Sequence, residues 1–220
     1  MMNYLLWQLA DSGFPAGGFA HSGGLEAAVQ HGLVLDRQTV RTFARHAMAQ
    51  AGRSALPLVT ATHRDPRSLG ELDRLSDAFL TNPVANRASR AQGRALMTAT
   101  SRSFPHADLV PLDRTIQVER LSAHYAPLFG AVLANLDVDE RDTQRLFLFM
   151  AGRGIGSAAV RLGVIGAFDA QELQTQLAPE IDQIIERCVS LGPLEISQTA
   201  PLIDLCQSTH DRLYSRLFQS

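Results

Sequence analysis

With 220 residues, 45% of them apolar, the chain can bury a sizeable core as one large domain or two small ones. Its 20 Lys and Arg against 22 Asp and Glu give a formal charge of -2, which argues against a general nucleic-acid binder, since that role favours a strongly basic domain. Residues 1–10 lack a basic n-region and a long apolar run, and the most apolar window, 146–151, is too short to span a bilayer. Cys188 and Cys206 form no C-x-x-C pair and no framework, which suits free thiols in a reducing compartment. The expectation is a cytoplasmic protein without a membrane segment.

In chain order, Asn3 is placed to cap a short helix over 4–10 with Leu5, Leu6 and Leu9 on one face. The stretch Asp11-Ser12-Gly13-Phe14-Pro15-Ala16-Gly17-Gly18-Phe19-Ala20-His21-Ser22-Gly23-Gly24 interrupts it and holds five of the 16 glycines. Pro15 fixes its own φ and the glycines allow close backbone approach, so this is a shaped loop that holds out Phe14 and Phe19. Ser22 is a suitable cap for a second helix through Leu25, Glu26, Ala28 and Val29, which Gly32 ends.

Asp36 caps a third helix, on which Val40, Phe43, Ala44, Ala47 and Ala51 share a face before Gly52. Residues 54–63 form another helix or a broken continuation. Ser68 and Glu71 have the form of a capping box ahead of the stripe Leu69, Leu72, Leu75, Phe79 and Leu80. Asn82-Pro83 restarts the chain into a helix to Arg102, where Arg87, Arg90 and Arg94 share a face at spacings of three and four. Residues 103–113, with Pro105 and Pro111, read as loop and as a joint between halves. Helices recur over 116–124, 127–136 and 140–162. Asp169 with Glu172 opens one to Leu191, and Pro201 opens a last one to Phe218. No strand signal competes. The fold class is all-α, a single-domain bundle of roughly eight to ten helices over 1–220.

Several motifs carry an ordinary reading beside a functional one. The glycine loop precedes a helix, a position that attracts anions, yet the G-x-x-x-x-G-K-[ST] pattern and its lysine are absent. Gly154-Ile155-Gly156-Ser157-Ala158-Ala159 fits a dinucleotide fingerprint only superficially, because its surroundings read as helix; small residues there suit close helix packing. The seven histidines show neither H-E-x-x-H nor a repeated Cys/His spacing, so no metal site can be built, and His21 stands out only for its place in the loop. Arg87, Arg90 and Arg94 are either a solvated face or a phosphate-binding stripe. No Ser, Cys or Thr has an evident His base in reach along the sequence, and Asp11 and Glu26 are too isolated to form an acid–base pair. The residues alone give catalysis no support, although a small nucleotide-dependent enzyme using the glycine loop remains the alternative.

From Leu5 to Glu26 the chain resembles the UreF family of urease accessory proteins, through Asp11-Ser12, Pro15-Ala16-Gly17, Phe19-Ala20-His21-Ser22 and Gly24-Leu25-Glu26. The resemblance continues through the arginine segment at 86–94, through His124-Tyr125-Ala126-Pro127-Leu128-Phe129-Gly130, through 157–163 and through 210–218, and so spans nearly the whole chain. Gln219 departs from the basic residue expected there.

The resemblance implies an all-α homodimer that is not an enzyme and holds no cofactor or metal of its own. It further implies assembly with a UreD/UreH-type scaffold and a nickel-carrying UreG-type GTPase, in a complex that delivers nickel to apo-urease, with regulation of GTP turnover and no role for nucleic acid or membrane. On that reading Phe14, Phe19, His21 and Glu26 form or support a partner-contact surface. Arg87, Arg90, Arg94 and Arg161 make polar contacts within the dimer or to the GTPase, and His210 and Tyr214 belong to the same partner-binding set.

Overall fold

In the computed structural model, which describes residues 4–105 and 107–220, eleven α-helices and four short 3-10 turns account for most of the chain, with no strand among the described residues. The all-α expectation holds. The helices are α1 (Tyr4–Ala10), α2 (Leu25–Gln30), α3 (Arg37–Ser54), α4 (Leu56–Arg64), α5 (Leu69–Phe79), α6 (Pro83–Ser103), α7 (Val110–Val118), α8 (Tyr125–Asn135), α9 (Glu140–Arg161), α10 (Ala167–Cys188) and α11 (Pro201–Ser208). Asn3, the expected cap of α1, and His106 lie outside the described residues.

Local chemistry explains where most of these helices start. Asp36 accepts the Thr39 amide at 2.9 Å while Thr39 Oγ1 accepts the Asp36 amide at 3.0 Å, so two free donors of the first turn of α3 are satisfied reciprocally. Asn82 Oδ1 accepts the Val84 amide at 3.0 Å, with Pro83 in the first turn of α6, where its missing N–H costs nothing. The break at Ala55 separates α3 from α4, with Pro57 in the first turn of the new helix. That break resolves the continuation that the apolar spacing left open, and it helps carry the helix count past the expected eight to ten.

Three local expectations are corrected. Ser68 does not form a capping box: it lies in the 3-10 turn Pro66–Ser68, its hydroxyl donates to the Asp65 carbonyl at 2.7 Å, and Asp65 receives the Arg67 amide instead. The stretch read as loop to Asp113 turns helical at Val110, because Pro111 sits in a first turn that tolerates it; α7 then ends at Val118, and Arg120 and Ala123 take positive φ. The last helix ends at Ser208 rather than near Phe218, and the chain continues through the 3-10 turn His210–Arg212 into a tail without helix.

One apolar core joins these helices, with Leu25, Leu56, Leu69, Leu96, Leu128, Leu148 and Leu177 among its fully enclosed side chains. Tyr125, Phe129 and Phe147 pack together at its centre, with ring centroids 5.4–5.9 Å apart. Gly130 lets α8 approach the Val59 carbonyl of α4, and Gly93 lets α6 meet the Ala123 carbonyl just before α8. Gly152 and Gly156 on α9 face Met48, Leu177, Ala170 and Leu173, which is the packing reading of that small-residue run.

A buried polar knot fixes α5, α6 and α8 together. Asp73, almost fully enclosed, accepts the amides of Ser122 at 2.8 Å and His124 at 2.6 Å. The enclosed His124 ring lies 3.1 Å from Ser89 Oγ and 3.0 Å from Asp77 Oδ1. Every member has a partner, so the knot rigidifies this side of the molecule. Among the described residues, no helix is long and apolar enough to cross a membrane.

Candidate functional site

The glycine loop and the C-terminal tail form one structure. Gly24, at φ 89°, turns the chain into α2, and a side chain there would meet the Ile203 carbonyl and Gln207 of α11, so its lack of a Cβ is required twice over. Ser22 sits on the junction. Its amide donates to the backbone oxygen of Ser220 at 2.6 Å, its hydroxyl donates to the same oxygen at 3.1 Å, and that hydroxyl accepts the Glu26 amide at 3.4 Å. Ser22 is therefore not the N-cap that its place in the sequence suggested: Gly24 takes that position, because its positive φ makes the turn into α2, and Ser22 reaches the helix only through the Glu26 amide. The Gln219 amide donates to the Ala20 carbonyl at 2.8 Å, completing a two-way backbone pairing.

Glu26 anchors the tail from below. Only 2% exposed, its carboxylate accepts the Leu217 amide at 2.6 Å and the Phe218 amide at 3.2 Å. His210 is fully enclosed beside it. The His210 Nε2–H donates to the Phe218 carbonyl at 3.2 Å, and Nδ1 lies 3.8 Å from Glu26 Oε2. His21 Nδ1 and Ser220 Oγ are 2.6 Å apart. Burial, assisted by the nearby His210 and Arg87, pushes the His21 ring down to about 4, so it is neutral near pH 7.

Above this anchor Arg161, the last residue of α9, lies between two rings. Its guanidinium carbon is 3.9 Å from the Phe19 centroid and 4.1 Å from the Phe218 centroid, and Nη1 donates to the Phe19 carbonyl at 2.5 Å. Phe218 is buried by this arrangement, whereas Phe19 keeps 65% of its surface in solvent. The outcome is a rigidly held aromatic edge. Tyr214, further along the tail, is fully exposed.

The other expected residues separate into two places. Phe14 is half-buried and stacks on Phe104 at 6.1 Å, so it fastens the loop to the end of α6. Arg87, Arg90 and Arg94 do share a face of α6, and they line an open groove of about 620 Å³ with Asp77, Ala78, Leu80, Thr81, Pro83 and Asn86. Arg87 links the groove to the tail through Asp211 at 2.8 Å, a carboxylate that Arg216 also approaches at 3.5 Å.

Sequence reasoning did not assign site roles to Phe218, Ser220, Ser22 or Asp211, whose partners lie more than a hundred residues away along the chain. Only the resemblance at 210–218 pointed towards that segment. It also missed the line Ser89–His124–Asp77, which has the order of a nucleophile, a base and an acid. Ser89 Oγ, however, takes the Tyr125 amide at 3.1 Å, and the ring between is fully enclosed, so the line serves the fold. Among the described residues, no group of three or more His, Cys, Asp and Glu side chains is placed to hold a metal ion. Cys188 and Cys206 are buried and unpaired.

Comparison with known proteins decides the family. The UreF family model matches residues 34–178. Urease accessory protein F of Oryza sativa subsp. indica is 38% identical over 216 residues, covering 96% of this chain and 83% of the relative. The chain belongs to the UreF family. Urease accessory protein F of Arabidopsis thaliana is 35% identical over 223 residues, covering 100% of this chain and 93% of the relative, and UreF of Trichodesmium erythraeum is 30% identical over 224 residues, covering 97% and 94%. The UreF model begins after the glycine loop and ends before the tail, whereas these relatives align across nearly the full length. The loop–tail junction therefore lies outside the residues matched by the family model.

Proposed function

We propose that this UreF-family chain is a cytoplasmic, homodimeric and non-catalytic adaptor that joins a UreD/UreH-type scaffold to a UreG-type GTPase, so that nickel reaches apo-urease. Two kinds of support converge on this reading. Relatives aligned across the chain are named urease accessory proteins. The observation that carries the surface assignment is the Phe19 edge, a large apolar ring left in solvent by a loop that is otherwise pinned by Arg161, Phe218 and Ser220. Exposed aromatic residues on a preorganised frame lose little conformational freedom on binding, and they dominate the energetics of many interfaces.

In this reading Phe19 and Tyr214 touch a partner directly. His21, Glu26, Arg161 and His210 hold the frame, Phe14 fastens its base, and Arg87, Arg90 and Arg94 make polar contacts to the GTPase or across the dimer. No observation favours the alternative of a nucleotide-dependent enzyme, since the loop's amides at Ala20 and His21 are spent on the loop itself and that of Ser22 on the tail.

Co-purification tests the reading. The intact chain is expected to retain a UreG-type GTPase and a UreD/UreH-type scaffold, and Phe19→Ala is expected to lose at least one of them while melting like the parent. Retention of both partners at parental levels by the variant removes the loop edge from the interface; recovery of neither partner with the parent chain sinks the adaptor reading itself.

A further inference from the structure

The arginine groove between α5 and α6 concentrates three cationic side chains on one face. Several arginines elsewhere are matched within the chain, Arg141 and Arg145 with Asp182, Arg45 with Glu180, Arg64 with Glu140 and Arg74 with Glu119, while the buried Nε of Arg41 on α3 has no hydrogen-bond partner among the described residues. In the groove, three arginines face one carboxylate, Asp77, whose Oδ1 already lies 3.0 Å from both His124 Nε2 and Asn86 Nδ2. Arg90 is half-buried, and among the described residues its guanidinium makes no hydrogen bond or ion pair, with Asp77 only an electrostatic neighbour. Arg94 has a 3.4 Å contact to the Ser122 carbonyl. A guanidinium offers five donors in a fixed fork, so a half-desolvated arginine without an acceptor is primed for one from outside.

Shape narrows the choice of acceptor. From Arg87 to Arg94 the helix rises about 10 Å at ~1.5 Å per residue, too long a row for a single phosphate to satisfy at once. An extended peptide, at ~3.3 Å per residue with alternate side chains on one face, presents carboxylates about 7 Å apart along such a row. Leu80, Pro83 and Ala78 supply apolar wall on which the intervening side chains can rest. We infer that this groove binds an acidic, partly apolar peptide segment of another protein, with Arg90 and Arg94 as the principal carboxylate contacts and Arg87 shared with Asp211. The identity of that protein as a member of the urease-maturation assembly rests on the adaptor reading; the groove's chemistry does not.

The test uses the full chain and a fluorescein-labelled peptide of Glu alternating with Leu and Ala, its Gln counterpart of equal length, and inorganic phosphate as competitor. Anisotropy is expected to show binding to the Glu peptide at least tenfold tighter than to the Gln peptide, weakening as salt rises from about 50 to 500 mM. Arg90→Gln and, separately, Arg94→Gln are each expected to weaken binding about tenfold, with unchanged circular dichroism and melting. Arg102→Gln, on the same helix outside the groove, is expected to change nothing. Equal affinity for the Gln peptide, no effect of either groove variant, or displacement of the peptide by phosphate at comparable concentration would each overturn the proposal. Co-purification separates the two ideas. Peptide binding by a chain that recovers no urease-maturation partner keeps the groove and fails the adaptor reading, whereas partner recovery without peptide binding does the reverse.

Discussion

The Glu26 carboxylate accepts the Leu217 amide at 2.6 Å, joining positions 191 residues apart in the chain. Because the carboxylate is enclosed and takes the Phe218 amide as well, it satisfies one part-buried and one buried tail donor, the second of which would otherwise lack a partner away from water. Glu26→Gln replaces one acceptor oxygen by a donating amide, which faces a backbone N–H in either orientation. The expected cost is about 2 kcal/mol, concentrated in the tail. Hydrogen exchange of the peptide covering 213–220 should accelerate by roughly 30-fold, while α3 and α9 stay protected. Unchanged protection in that peptide would mean that something other than Glu26 holds the tail.

Arg161 acts through its plane. A lysine keeps the charge but cannot lie flat between the Phe19 and Phe218 rings or keep a second nitrogen on the Phe19 carbonyl. Arg161→Lys and Arg161→Ala should therefore both loosen the loop, with the lysine variant recovering only part of about 1–2 kcal/mol. Thermal melts of the two variants and of Phe218→Leu check this. If Arg161→Lys melts with the parent, charge alone suffices and the stacking account is wrong.

The low value for His21 gives a pH dependence of definite sign. Folding holds the ring at about 4, below its ordinary 6.5, so between those values the unfolded chain binds the extra proton. The stability associated with a neutral His21 is full above about pH 6.5 and is lost as pH falls towards 4. With part of the ring in solvent, on the order of 1–2 kcal/mol is at stake. The melting temperature should fall between pH 7 and 4.5, and His21→Asn should flatten that slope. An equal slope in the variant assigns the acid sensitivity to other groups.

Helix starts were legible wherever their cause is local: Asp36 with Thr39, Asn82 with Pro83, and Pro201 all act within one turn. The failures share the opposite property. Periodicity carried the last helix on to Phe218, but Glu26, Ala20, Gln30 and Ser22 offer the tail's backbone better partners than a helix would, and none is near it in sequence. Ser68 looked like a cap because the 3-10 turn from Asp65 leaves no mark in the apolar pattern. Of the site, the residue types in the loop and on α6 were visible, as was the shared arginine face. That Arg161 lies between Phe19 and Phe218, or that Arg90 lacks an acceptor while Arg87 has Asp211, is a property of packing.

The glycines provide a last contrast, because their reasons differ. A methyl group at Gly93 would collide with the Ala123 carbonyl, a backbone atom that cannot swing aside without displacing the entry to α8 and the His124 knot. Gly154 sits inside α9 with nothing within 4 Å of the same position, so it bears only the entropic cost of a glycine in a helix. Gly93→Ala should lower stability by about 3 kcal/mol or more, whereas Gly154→Ala should raise it by about 0.5–1 kcal/mol. Urea midpoints measure both. A stable Gly93→Ala protein would show that α6 and α8 can separate, and with them the wall of the arginine groove. Destabilisation by Gly154→Ala would show that this face of α9 is covered in solution, as a second copy of the chain would do.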